Sequence, residues 1–185
     1  MMIEEEKGIQ YISSARHVLL NDIQLIKGYL FMNRPKKANE VMDRITEKLR
    51  NHARLSHLHI PECAFYLIVY EWAAHPFLLQ LKVSSDERDL SRYDRYFTDF
   101  FRGFFSILEE QVSDRVENLV EIIFENTESS YNIEVIFSGV LKDAIKARIR
   151  MNALKLNQTV DWVEHYVIND SPNEKMRWNL CLSIK

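Results

Sequence analysis

Apolar residues recur every three or four positions through the first part of the chain, and the rhythm then changes. Ile12, Leu19, Ile23, Ile26 and Leu30 predict a helix from about Ile9 to Met32. The segment "NRPKK" interrupts it, because Pro35 biases Arg34 away from helix and suits the first turn of a new one. A second periodic run follows at Ala38, Val41, Met42, Ile45, Leu49 and Ala53. Two helices with so short a join form an antiparallel hairpin. A lone hairpin has too little interior to be stable, so a second copy is expected to complete a four-helix bundle.

"LSHLHIP" marks the boundary between residues 1–60, the hairpin, and residues 61–185. Beyond it "PECAFYLIVYEWAAH" starts with proline at a first helical position and reads as a buried helix, and "LLQLKV" reads as a strand. Ser91 is placed to cap a helix carrying Tyr93, Tyr96, Phe97, Phe100, Phe101, Phe104 and Phe105. Aromatic residues at helical spacing are far more often core than ligand pocket. "NLVEIIFE" and "YNIEVIFSG" flank "NTESS" as one hairpin, and "LKDAIKARIRMNAL" is helical. "TVDWVEHYVIND" and "KMRWNLCLSIK" make a second hairpin across "SPNE". The fold class is therefore α+β: a helical hairpin followed by an antiparallel-rich sheet packed on two or three helices.

Composition narrows the chemistry. The chain is 46% apolar and 28% charged, enough to bury a core over 185 residues. A net charge of -3 offers no general attraction to nucleic acid or to an anionic membrane. The opening "MMIEEEK" is not a secretory signal, the longest apolar run, Ala64 to Tyr70, is too short to span a bilayer, and a cytoplasmic protein is expected. Cys63 and Cys181 are far apart, which indicates neither a disulfide framework nor a zinc site. The four glycines are scattered singly, whereas loops that wrap phosphates need them clustered.

One residue does not fit the pattern. On a helical wheel Ser13, Asn21, Gln24 and Gly28 fall within about 40° of His17, and the centre of the apolar stripe lies about 140 to 180° away. Val18, Leu20 and Leu25 widen the apolar surface enough to touch two neighbours, leaving His17 on the remaining strip. A solvated surface histidine is the ordinary reading of such a position. Positions 13, 14, 20, 21 and 24 hold no metal-ligating partner, and no nucleophile-elbow context surrounds Ser13. The chemical role left is that of nucleophile. An imidazole with its ordinary pKa near 6.5 is mostly neutral in the cytoplasm and accepts a phosphoryl group directly.

The stretch "ARHVLLNDIQLIKGYL" resembles the phospho-acceptor helix of the sporulation initiation phosphotransferase family, the B component of the phosphorelay in spore-forming bacilli. The family pattern R-H-x3-N-x2-Q-L-I-K-G is met by Arg16, His17, Asn21, Gln24, Leu25, Ile26, Lys27 and Gly28. The likeness continues more loosely through "LSHLHIPECAFYLIVYEW" and "DLSRYD", and after about Val112 it rests on the order of elements. The resemblance implies a homodimer whose C-terminal α/β sandwich is a degenerate relative of the histidine-kinase ATPase domain. It implies that His17 takes phosphate from the aspartate of a single-domain response regulator and passes it to the receiver domain of the sporulation transcription regulator. It places Arg16, Asn21, Gln24, Leu25 and Gly28 against the receiver. No cofactor or metal of its own is implied, and magnesium is expected from the receiver.

A similar helix occurs in sensor kinases of the citrate-sensing type, which also carry paired asparagines and glycine-rich ATP motifs. Here Ser106 and Glu110 fill the asparagine positions on a gapless reading, and an acid there repels nucleotide phosphates. Val18 stands where kinase-type acceptor histidines are usually followed by Glu or Asp, removing a general base for attack on ATP. Two rival readings remain: a degenerate ATP-binding histidine kinase, and a non-catalytic dimeric adaptor that docks receivers. Of the other histidines, His52, His57 and His59 have no common metal spacing, His75 suits a helix end, and His165 reads as packing. Lys36, Lys37, Arg44, Lys48, Arg50 and Arg54 read as a solvated face.

Overall fold

The computed structural model describes residues 2–84, 88–126, 130–154, 162–168 and 176–184. The chain opens with α1 (Met2–Phe31) and α2 (Pro35–Ser56), which pack as a hairpin. The first helix begins well before Ile9, so its acidic start lies within it. It ends in a Schellman motif: Asn33 takes a left-handed φ of 55°, Arg34 N donates to Tyr29 O at 2.8 Å, and Asn33 N donates to Leu30 O at 3.0 Å. Pro35 then occupies the first turn of α2, where its missing N–H costs nothing.

The rest is a five-stranded sheet with helices on one face. After α3 (Pro61–Trp72) come β1 (Leu78–Val83), a single 3₁₀ turn (Ser91–Tyr93), α4 (Asp94–Gln111), β2 (Leu119–Asn126), β3 (Tyr131–Gly139), α5 (Ala144–Ala153), β4 (Trp162–Ile168) and β5 (Met176–Ile184). The strand order is β1-β2-β3-β5-β4. Only β1 and β2 run parallel, joined through α4, and the other pairs are antiparallel. Both expected hairpins are present as β2–β3 and β4–β5, but residues 127–129 of "NTESS" and the turn "SPNE" lie outside the described residues. The side chain of His165 lies outside them as well.

Strand alternation puts Leu79, Leu81, Val120, Ile122, Phe124, Ile133, Val135, Phe137, Trp178, Leu180 and Leu182 under the helices. Phe97, Phe101, Phe104 and Phe105 of α4 are buried against them, with Phe104 meeting Trp178 edge to face at 6.1 Å. The aromatic stripe is core. Ser91 does not cap α4: it ends up in the 3₁₀ turn with its N–H on Asp89 Oδ1 at 2.9 Å, and α4 begins at Asp94.

Hairpin and sheet are tied together by polar side chains at the far end of α2. Asn51 Oδ1 accepts from Val83 N at 2.9 Å, and Arg54 donates to Val83 O at 3.2 Å. These two groups satisfy a backbone unit on the unpaired side of the edge strand β1, where another strand would otherwise add. Beside them His52 Nε2 lies 2.6 Å and Lys48 Nζ 3.3 Å from Glu71 Oε2 on α3. Lys48 and Arg54 are thus structural ties rather than members of a solvated face, and His52 is hydrogen-bonded to Glu71.

Candidate functional site

The first helix has three faces. Tyr11, Val18, Asp22, Ile26 and Tyr29 are half-buried toward the chain's own α2 and α3. Tyr11 meets Phe65 edge to face at 5.6 Å, Asp22 pairs with Arg44 at 3.1 Å, and Lys37 lies over the Tyr29 ring at 5.8 Å. A second face, turned away from them, carries the apolar stripe. Ile12, Leu19, Ile23 and Leu30 remain 62%, 51%, 42% and 54% exposed in the single chain. Four of the five residues that make the helix legible in the sequence are therefore ones its own hairpin leaves exposed, and the fifth, Ile26, turns inward. On α2, Met42 and Leu49 are exposed too. So much contiguous apolar surface marks an interaction face.

The third face holds His17. Its ring is exposed, as are Arg16, Asn21, Gln24 and Leu25, and a side-chain carbon added at Gly28 would meet nothing within 4 Å. All six residues singled out in the sequence thus share one accessible strip or its margins. The strip carries no carboxylate: Val18 points into the chain's own packing, and Asp22 is held by Arg44. The one side-chain hydrogen bond His17 makes among the described residues is with Asn21, whose Nδ2 lies 3.2 Å from His17 Nδ1. The i, i+4 spacing was readable beforehand, but the contact depends on both rotamers and was not.

The second unit holds two further clusters. On α4, Ser106 and Glu110 are exposed, and Glu110 is ion-paired to Arg150 of α5. The carboxylate at this position is therefore neutralised within the chain and ties α5 to α4, which approach closely where Gly103 faces Leu154. Glu109, one residue before, accepts from Tyr70 Oη at 2.6 Å and lies 3.1 Å from His75 Nδ1. His75 sits beyond the end of α3 with its ring stacked on Tyr70 at 3.5 Å, so its setting is this cluster rather than a helix dipole. Burial lowers the His75 pKa despite Glu109, and burial followed by Glu109 pushes Tyr70 up. Among the described residues no group of three or more His, Cys, Asp or Glu side chains converges as a metal site would require. No described helix is long and apolar enough to cross a membrane.

Comparison with known proteins divides the chain into the same two segments as the hairpin and the unit that follows it. Residues 59–170 match the family "Sporulation initiation phospho-transferase B, C-terminal", and residues 2–58 match "Sensor_kinase_SpoOB-type, alpha-helical domain". The chain belongs to the sporulation initiation phospho-transferase B family. One relative within it, sporulation initiation phosphotransferase B of Bacillus subtilis (strain 168), is 29% identical over 110 residues, covering 60% of this chain. The match spans 57% of that relative's length. Among solved structures, the Acinetobacter baumannii histidine kinase AdeS aligns with a TM-score of 0.41 at 11% identity, over 91% of this chain and 98% of its own. The Erythrobacter litoralis EL346 blue-light activated histidine kinase aligns with a TM-score of 0.40 at 12% identity, over 90% of this chain and 58% of its own.

Proposed function

We propose that the chain is a histidine phosphotransferase of a sporulation phosphorelay and works as a homodimer. The observation that carries this reading is the separation of faces on α1: an accessible imidazole on one strip and a bare apolar stripe on another. Two such hairpins covering each other's stripes form a four-helix bundle and leave both His17 rings outside. Membership of the family supports the activity, and the coverless stripe supports the second copy.

His17 takes the phosphoryl group from the aspartyl phosphate of a single-domain response regulator and hands it to the receiver domain of the sporulation transcription regulator. Such transfers pass through a loose in-line transition state in which positioning and charge neutralisation do most of the catalysis. This chain supplies the nucleophile and the docking strip of Arg16, Asn21, Gln24, Leu25 and Gly28. The receiver supplies the acyl phosphate, the magnesium and the cationic groups. Because the leaving group is a carboxylate, no general acid is required of this chain. The same strip serves donor and acceptor in turn.

The test is a mixing experiment. Incubated with a receiver labelled on its aspartyl phosphate, the chain is expected to acquire acid-labile, alkali-stable label. That label should vanish in His17→Gln while the dimer persists in sedimentation. Equal labelling of the variant would overturn the assignment, and self-labelling from ATP would establish a kinase instead. Docking of the receiver with no label transferred would leave an adaptor.

A further inference from the structure

The tip of the helical hairpin is both apolar and cationic, and the fold uses little of either. Phe31, the last residue of α1, is 94% exposed, more than any other large apolar side chain among the described residues, and Met32 beside it is 54% exposed. Lys27, Arg34, Lys36 and Lys37 surround them, and no Asp or Glu stands between Asp22 and Glu40. All four cations are exposed, and none makes an ion pair among the described residues; Lys37 lies over the Tyr29 ring at 5.8 Å. The net charge of the chain hides this end, because four of its 24 basic residues are here and the other 20 stand against all 27 acidic ones.

The tip is also the free end of the hairpin. The groups that tie the hairpin to the rest of the chain, Tyr11 on Phe65 and Asn51 and Arg54 on Val83, sit toward its other end. Helix rise alone puts Lys36 about 22 Å from Asn51. A second copy on the apolar stripe leaves Phe31 bare as well, since it points about 100° around the helix from Leu30, the last residue of that stripe. We propose that this tip docks on an anionic lipid surface, Phe31 and Met32 entering the headgroup layer while Lys27, Arg34, Lys36 and Lys37 meet its negative charge. The proposal is independent of the phosphotransferase reading.

Lipid suits the patch better than a protein groove does. Phe31 lies within about 40° of His17 on the helical wheel, so a receiver reaching about 21 Å along α1 would meet it too. The patch as a whole does not follow that face. Phe31 and Met32 diverge by about 100°, and Arg34 and Lys36 come from beyond the turn, at the start of α2. Apolar and cationic groups therefore ring the tip instead of lining one side. A groove takes one face of a helix, whereas a fluid headgroup layer closes around a projecting end. The two kinds of group are also the two signals that surface attachment needs: a small apolar insertion is weak by itself, and each Lys or Arg near an anionic surface adds to it.

Sedimentation of the full chain with vesicles tests this, one set made of phosphatidylcholine alone and one of phosphatidylcholine mixed equally with phosphatidylglycerol. The chain is expected to pellet with the mixed vesicles only, and less so as salt is raised, because screening weakens the cationic part. Phe31→Ser should weaken that binding about tenfold through the lost apolar insertion, and Lys36→Glu by about as much through charge. Both positions are exposed, so the fold and the dimer mass should be unchanged. No binding to the mixed vesicles, equal binding to the neutral ones, or binding that either substitution leaves intact overturns the proposal. A loss of receiver affinity in Phe31→Ser with vesicle binding unaffected overturns it too, and assigns the tip to the receiver.

Discussion

The Asp94 carboxylate, first residue of α4, caps the start of α3 by accepting from Cys63 N at 2.8 Å, and its other oxygen accepts from Glu62 N at 3.0 Å. The residue in the N-cap position of α3 is Ile60, which has no side-chain acceptor, and Pro61 follows it. Two orphan N–H groups therefore depend on an acid 31 residues further along the chain. Asp94→Ala should lower stability by about 1–2 kcal/mol, at the upper end of cap losses because both oxygens are used, and Asp94→Asn should recover part of it. Urea denaturation of the three chains checks this. A native midpoint in the alanine variant would rule the cap out as a structural tie.

Asn118 and Gly139 form a second tie that admits no extra atom. The buried Asn118 amide donates to Ser113 O at 2.7 Å and Val116 O at 2.8 Å, and its oxygen accepts from Val140 N at 3.0 Å. A side-chain carbon on Gly139 would collide with that oxygen and approach the Phe137 ring to 2.7 Å. Gly139→Ala should therefore cost about 1–3 kcal/mol. The glycine is needed for close approach, since its φ is not positive. Thermal melts of Gly139→Ala beside Gly8→Ala, where the added carbon meets nothing within 4 Å, make the comparison.

His75 predicts a pH dependence. Its pKa in the fold is lowered, chiefly by burial, from the ordinary value of 6.5. The unfolded chain thus binds the proton more readily, and its contribution to stability is full above about pH 6.5 and declines as the pH falls toward the lowered value. In His75→Phe, which keeps an aromatic ring against Tyr70, this portion of the acid sensitivity should disappear. Stability of both chains measured between pH 8 and 5 gives the difference directly, and parallel curves would refute it.

The bare stripe on α1 predicts dependence on a second copy. Ile23→Asp puts a charge in the middle of a face that the single chain does not use, so the monomer's own packing is spared. The expected outcome is a halved mass in sedimentation with the far-ultraviolet helix signal of the C-terminal unit retained. A dimer that survives this substitution would place the interface elsewhere.

Both helices of the hairpin, the buried aromatic helix and the two β-hairpins were legible in the sequence because each rests on a local period that the chain repeats several times, whereas the β1–β2 and β3–β5 pairings were not. The strip of His17, Asn21, Gln24 and Gly28 was legible for the same reason, since helical geometry alone assigns residues to faces. What local periodicity cannot carry is pairing across distance. That the Ile12–Leu19–Ile23–Leu30 stripe faces outward, while the thinner row through Val18 and Ile26 faces α2 and α3, was decided only when the second unit packed against the hairpin. The same holds for Asp94 under α3, for Glu110 bound to Arg150, and for Asn51 and Arg54 on the edge of β1. Each joins groups far apart in the chain through one or two hydrogen bonds, and such contacts leave no periodic mark because nothing repeats. The residue types at these positions say only that a polar group is present, and the tertiary fold says to what it is bound.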